Sequence, residues 1–114
     1  MPLTHKPAAQ SGTVPKLFPD VSNVFLGDVV ATSSETAPIA AGLFRMEKGK
    51  PLEYEYTYDE VKIVLKGDCQ ITDEEGTTVL AKPGDVFMFP KGTKATFESQ
   101  DYMLAFYCGQ RPKL

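Results

Sequence analysis

The chain is poor in the residues from which catalytic and metal sites are most often assembled. Its 114 residues include no tryptophan, one histidine and two cysteines. His5 lies in a polar, proline-containing stretch, which removes histidine from catalytic triads and from histidine-rich zinc or iron sites. Cys69 and Cys108 are too few for a disulfide framework, and their spacing fits no zinc motif. Both sit in strand-like runs, where a free cysteine serves as a small buried apolar residue. Basic excess is also missing: 12 Lys and Arg against 15 Asp and Glu leave a net charge of −3 with interspersed signs, which gives no nucleic-acid footprint. No apolar run approaches the roughly 20 residues of a membrane span, and residues 1–19 lack the charged-then-apolar layout of a signal peptide. The cytoplasm is the expected compartment and a small molecule the expected partner.

The apolar and charged fractions, 42% and 24%, are those of an ordinary globular domain. The chain reads as one domain with an arm. Residues 1–22 carry Pro2, Pro7, Pro15 and Pro19 among small polar residues and cannot continue a helix; they predict an extended arm, flexible or ordered only against another surface. Residues 23–114 show no helical stripe. Strands are predicted over residues 23–30, 39–47, 52–58, 61–66, 68–73, 77–81, 86–89, 94–98 and 102–108. Strict alternation is clearest over residues 52–58, where Glu53, Glu55 and Thr57 share one face and Tyr54, Tyr56 and Tyr58 the other. Residues 61–66 are apolar and β-branched enough for a strand buried on both faces. Glu74-Glu75-Gly76, Lys82-Pro83-Gly84-Asp85 and Pro90-Lys91-Gly92-Thr93 supply turn chemistry between strands. About nine short strands at regular spacing mean an all-β sandwich or barrel.

Two glycine-punctuated stretches carry a more specific signal. One runs from Tyr54 through Glu60 to Gly67, the other from Gly84 through Pro90 to Gly92. Together they resemble the two motifs of the cupin superfamily. In the usual first motif two histidines separated by one residue are followed, after three or four residues, by a glutamate and then a glycine. Glu60 and Gly67 fit that ending, and the shorter spacing puts Tyr54 and Tyr56 in the histidine positions. In the second motif Gly84, Pro90 and Gly92 match, and the histidine position is Ala95. The resemblance spans residues 40–107 and implies a single cupin jelly-roll β-barrel. One of four expected metal ligands is present, so no metal and no other cofactor is expected. Cupin arms often lie across a neighbouring subunit, which implies a homodimer.

Within the cupins the chain is similar to the ethanolamine-utilisation EutQ-like proteins, through Tyr58-Asp59-Glu60 and through Ala81-Lys82-Pro83-Gly84-Asp85-Val86 to Gly92. That group also lacks the metal histidines. It is associated with bacterial microcompartments and with acetate kinase activity, yet no Walker-type glycine loop is present here to cradle a phosphate. Lys62 departs from the group, which is acidic there.

The motif glutamate of a cupin points into the barrel. If Glu60 does so, period two turns Lys62 and Val64 inward and Val61, Ile63 and Leu65 outward. The shorter motif spacing turns Tyr54 and Tyr56 inward, and the longer one would choose Glu53 and Glu55. Three carboxylates facing one cavity would repel strongly without a cation or protons, which favours the tyrosines and leaves the second row open. The candidate catalytic set is Glu60, Lys62, Tyr54 and Tyr56. Arg45, Tyr58, Phe87, Phe89, Tyr102 and Tyr107 are candidate substrate-binding residues. Glu60 could act as general base while Lys62 or a tyrosine donates a proton or stabilises an oxyanion, and the tyrosine rings offer apolar faces to an aromatic substrate. The function expected is metal-independent isomerisation, elimination, dehydration or cyclisation of a small carbonyl compound. The alternatives are a non-catalytic binding or microcompartment-associated protein, built on a purely structural ion pair, and a metalloenzyme with an unusual Glu/Tyr site.

Overall fold

A computed structural model describes residues 2–114. These form nine β-strands and one short 3-10 turn, Ala9–Ser11. The strands are β1 Val24–Ala31, β2 Ala40–Glu47, β3 Leu52–Glu55, β4 Glu60–Gly67, β5 Cys69–Asp73, β6 Thr78–Ala81, β7 Val86–Phe89, β8 Lys94–Glu98 and β9 Tyr102–Gly109. They make two antiparallel sheets, ordered β1-β2-β9-β4-β7 and β3-β8-β5-β6. The two-sheet, all-β architecture is that of a cupin jelly roll. Among the described residues no helix is long and apolar enough to cross a membrane.

Local chemistry explains the path. Gly67, with φ of 72°, ends β4 and lets the chain cross to the second sheet; a side chain there would overlap the Tyr102 carbonyl. Lys82 to Asp85 is closed twice, by Asp85 N–H donating to the Lys82 carbonyl and by Lys82 N–H donating to the Asp85 carboxylate, each at 3.0 Å. The strand predicted over residues 52–58 ends at Glu55, where pairing with β8 stops at Glu55 and Lys94. Beyond it the Tyr56 backbone is taken up by the Gly92 and Thr93 turn, at 2.7 and 2.8 Å. The alternation of side chains survives this change, since Tyr56 is buried and Thr57 exposed.

The core lies between the sheets and includes Val24, Phe44, Met46, Val64, Ile71, Phe97 and Met103. Cys69 is buried among them, and Cys108 is half-buried. The arm is ordered against its own barrel. Leu17 N–H donates to the Val24 carbonyl at 3.1 Å and Leu26 N–H to the Pro15 carbonyl at 2.9 Å, so the segment runs antiparallel along the free edge of β1. An edge position tolerates Pro15 and Pro19, which have no N–H to offer a ladder. Leu17 and Val21 pack on the core, and the Asn23 amide donates to the Glu47 and Lys50 carbonyls at 3.2 and 3.0 Å, pinning the junction.

Candidate active site

The first half of β4 alternates charged and apolar residues, and there the charged ones point inward. Glu60 is 2% exposed and Lys62 4%. The Lys62 ammonium donates to Glu60 Oε2 at 2.5 Å. Phe44, Tyr107, Phe89 and Tyr56 turn ring faces towards that ammonium, at 4.9, 5.2, 5.7 and 5.8 Å, and aromatic faces attract a desolvated cation. Burial pushes Lys62 below its ordinary pKa, and the Glu60 carboxylate pulls the other way.

Three tyrosines stand over the pair. The inner row of residues 54–58 is the tyrosine row, while Glu53 and Glu55 lie exposed on the other face. Tyr54 and Tyr58 share a hydroxyl–hydroxyl hydrogen bond of 2.8 Å. Tyr56 is stacked on Phe89 at 4.6 Å and meets Tyr54 edge-on at 4.8 Å. Burial, followed by the negative charge of Glu60, raises the Tyr56 hydroxyl far above its usual range. Burial and the hydrogen bond with Tyr54 raise Tyr58 as well. Both therefore stay protonated and can only donate or accept hydrogen bonds at neutral pH.

A second buried network adjoins the first. Across the five-stranded sheet, Asp28, Gly42, Tyr107 and Lys62 stand in one register row. Tyr107 passes over Gly42 and donates to Asp28 Oδ1 at 2.5 Å. Arg111 grips both Asp28 oxygens, at 2.9 and 3.0 Å, and the Leu114 amide adds a bond of 2.8 Å. Burial acts to raise the Asp28 carboxyl, but the bonds from Arg111, Leu114 and Tyr107 outweigh it and hold the pKa at about 2. The guanidinium also lies 5.5 Å from the Tyr58 ring and 5.6 Å from that of Tyr107. Sequence reasoning missed Asp28 and Arg111. The alternation Val24, Leu26, Asp28 in β1 carries the signal for the first, whereas nothing in the Gln110-Arg111-Pro112 stretch points to the second.

The structure brings together Glu60, Lys62, Tyr54, Tyr56 and Tyr58 around a cavity of about 20 Å³, room for one water. Leu26, Phe44, Leu52, Phe97 and, from the arm, Leu17 complete its walls. Phe89 and Tyr107 stand in the packing behind the pair, with Phe87 half-buried next to Phe89. Arg45 and Tyr102 do not reach the interior. Phe44 and Met46 take the inner positions of β2, and Met103 and Ala105 those of β9, so strand parity turns Arg45 and Tyr102 outward. There Arg45 pairs with Glu47 at 2.9 Å and lies 4.5 Å from the Tyr102 ring.

The metal that this fold commonly holds does not fit these residues. Glu53 and Glu55 face away from Glu60, Ala95 offers no side-chain donor atom, the buried Tyr56 phenol resists ionisation, and the Lys62 ammonium already pairs with Glu60. Among the described residues no three His, Cys, Asp or Glu side chains gather as a metal site.

Known proteins place the chain. The family model for ethanolamine utilisation protein EutQ matches residues 18–110. An Escherichia coli K12 relative, acetate kinase EutQ, is 36% identical over 74 residues, which cover 65% of this chain and 30% of the relative. A Salmonella typhimurium LT2 counterpart of the same name is 35% identical, and 31% of it is covered. This chain thus spans about a third of the length of the curated relatives it matches. Among solved structures, ethanolamine utilization protein Q of S. typhimurium LT2 superposes with a TM-score of 0.67 at 30% identity, over 80% of this chain and 71% of that one. The cupin domain of Schizosaccharomyces pombe Cnp3 superposes with a TM-score of 0.65 at 19% identity, over 81% and 65% of the two chains, and shares the fold. With a match over residues 18–110, the chain belongs to the EutQ family.

Proposed function

We propose that this chain is a metal-independent cupin enzyme that uses Glu60 and Lys62 for general acid–base chemistry on a small cytoplasmic carbonyl compound. Isomerisation, elimination, dehydration and cyclisation all fit that description. The observation that carries the reading is the Glu60–Lys62 pair itself, buried, 2.5 Å apart, and lining the same cavity as three tyrosines. A buried pair adds little stability over apolar residues of the same size, so its place beside a cavity favours chemistry. Glu60 would take a proton from carbon next to the carbonyl. The Lys62 ammonium, with a tyrosine hydroxyl that remains protonated, would hold the charge that develops on oxygen.

With room for one water, the cavity must open to admit a substrate. Leu17 is the one wall residue carried by the arm, and the arm is held there by two backbone bonds to β1. Lifting this strap would take Leu17 out of the wall that it shares with Tyr54, Tyr56 and Tyr58. The small cavity also favours a second reading, in which the site binds a ligand without turnover and serves a microcompartment-associated protein.

The test is deuterium incorporation from heavy water into a panel of small aldehydes and ketones, followed by NMR. Wild-type protein is expected to catalyse exchange next to one carbonyl, and Glu60→Gln to abolish it while leaving the circular dichroism unchanged. Leu17→Ala, which thins the strap, is expected to raise kcat/KM several-fold. Equal exchange by wild type and Glu60→Gln would refute the catalytic reading. A ligand that raises Tm without exchange or product would establish the binding one.

A further inference from the structure

We infer that Lys62 is a nucleophile that joins its carbonyl substrate as a Schiff base, and not only a fixed counter-charge to Glu60. That the substrate is a carbonyl compound rests on the acid–base function proposed for this chain. The two buried ion pairs are built differently. Asp28 has the guanidinium of Arg111 on both its oxygens, and a guanidinium keeps its proton in proteins. Glu60 has a lysine, whose ammonium sheds a proton readily once it is desolvated. Among the described residues Lys62 is the one buried lysine, and the others are all exposed. Its ammonium has three hydrogens to donate, yet Glu60 Oε2 is the one acceptor it meets, while the ring faces of Phe44, Tyr107, Phe89 and Tyr56 stand around it. Passing one proton across the 2.5 Å contact leaves a neutral amine beside a neutral acid, which a water-poor interior favours over two charges. Burial lowers the hold of Lys62 on that proton, the Glu60 carboxylate opposes this, and the positive charge of Arg111 adds to the lowering. Lys62 lines the same cavity as Tyr54, Tyr56 and Tyr58, so an entering carbonyl group meets it there.

Lys62 and Glu60 carry the whole step between them. The Lys62 amine adds to the carbonyl carbon to form a C–N bond, and the carbonyl oxygen takes up the proton held by Glu60. Glu60 then removes a second proton from the nitrogen and passes it to the new hydroxyl. That hydroxyl leaves as water, and the nitrogen lone pair closes the C=N bond. The products are one water, an iminium ion and the Glu60 carboxylate, and nothing is oxidised or reduced. One positive charge sits on the same nitrogen before and after, so the carboxylate and the four rings that hold the ammonium also hold the iminium. An iminium draws electrons from the neighbouring carbon more strongly than a hydrogen-bonded carbonyl does, which lets Glu60 take the proton there.

Reductive labelling of the full chain with formaldehyde and cyanoborohydride at neutral pH, read by peptide mass spectrometry, tests this. Formaldehyde is a carbonyl compound close in size to the one water that the cavity admits. The Lys62 peptide is expected to gain methyl groups about tenfold faster than any peptide carrying an exposed lysine. Labelling of Lys62 no faster than the exposed lysines would overturn the inference. Lys62→Arg keeps the positive charge but cannot form an imine, so it is expected to lose about 100-fold or more of the wild-type rate of deuterium exchange. Exchange retained in Lys62→Arg would overturn the Schiff base and leave the acid–base function standing. Fast labelling of Lys62 with no exchange of any compound would support the nucleophile and count against the acid–base function instead. If Lys62→Arg does not fold, wild type is incubated with an exchanging compound and cyanoborohydride. One adduct on Lys62 with a parallel loss of exchange is then expected, and exchange that persists would overturn the inference.

Discussion

Lys62 and Glu60 make a sharp thermodynamic prediction, because neither can turn to water if its partner is lost. Lys62→Met leaves the Glu60 carboxylate buried among aromatic rings with no counter-charge. Breaking a buried pair from one side costs about 3–5 kcal/mol, a large part of the 5–15 kcal/mol that holds a domain of this size together. Glu60→Gln keeps the shape and one acceptor oxygen but loses the charge, at a cost of about 1.5–3 kcal/mol. The double variant has neither charge, and neutral replacements of a buried pair fall within about 1–2 kcal/mol of the parent or above it. The singles should therefore sum to more than the double, with a coupling energy above about 2.5 kcal/mol. Urea unfolding of the four proteins, extrapolated to water, measures it. Additivity within about 0.5 kcal/mol would refute the reasoning and mean that the pair is solvated. Alkaline pH adds an independent check. Lys62 titrates below its ordinary 10.5 in the folded chain because burial disfavours its charge. Between the folded value and 10.5 the unfolded chain binds more protons, so stability rises with pH there. The wild type should gain on Lys62→Met through that alkaline range and run parallel to it at lower pH.

Three further outcomes follow from the second network and from two glycines. Asp28→Asn should cost about 3–5 kcal/mol at neutral pH by leaving Arg111 buried without its counter-charge. The advantage of the wild type should be complete above 3.8 and lost as pH falls through about 2, readable from acid unfolding of both proteins by circular dichroism. Gly42→Ala puts a methyl group into the Gly27 carbonyl and within 2.8 Å of the Tyr107 hydroxyl, so it should cost about 1–3 kcal/mol and loosen Tyr107 from Asp28. Gly109→Ala comes nearest the Tyr58 ring and Glu60 Oε1, at 3.2 and 3.3 Å, and should cost less in the same urea assay.

The strands were legible because local rules decide them. Glycine and proline turns bound several of them, and the ends of β5, β7 and β8 fall within a residue of where alternation and turn chemistry put them. The inner row of β4 followed from period two once Glu60 was oriented. Parity also contains the answer for Arg45, since it stands between the apolar Phe44 and Met46. Contacts between distant segments were out of reach. Asp28 and Arg111 are 83 residues apart, and only the return of the chain after β9 brings them together. The closure of the cavity by Leu17 has the same origin. Nothing in a proline-rich arm announces that one leucine will be tucked between the sheets while its backbone extends β1.

The residues around Glu60 make sense as one electrostatic solution. A carboxylate kept inside an aromatic-lined sandwich needs a positive charge close by, or it must take up a proton or unfold the chain. A bound cation would need several donors converging on it. With tyrosine at 54 and 56 and alanine at 95 those donors are missing, and the cation is supplied instead by Lys62, two residues along the same face. Tyr56 can then remain neutral, and Phe44, Tyr56, Phe89 and Tyr107 present ring faces to that ammonium. A fixed ammonium can donate a proton and a metal cannot. A metal can bind substrate through open coordination positions and an ammonium cannot. On the proposed reading, that exchange would suit the site to moving a substrate's protons, so the reading rests on Lys62 as much as on Glu60.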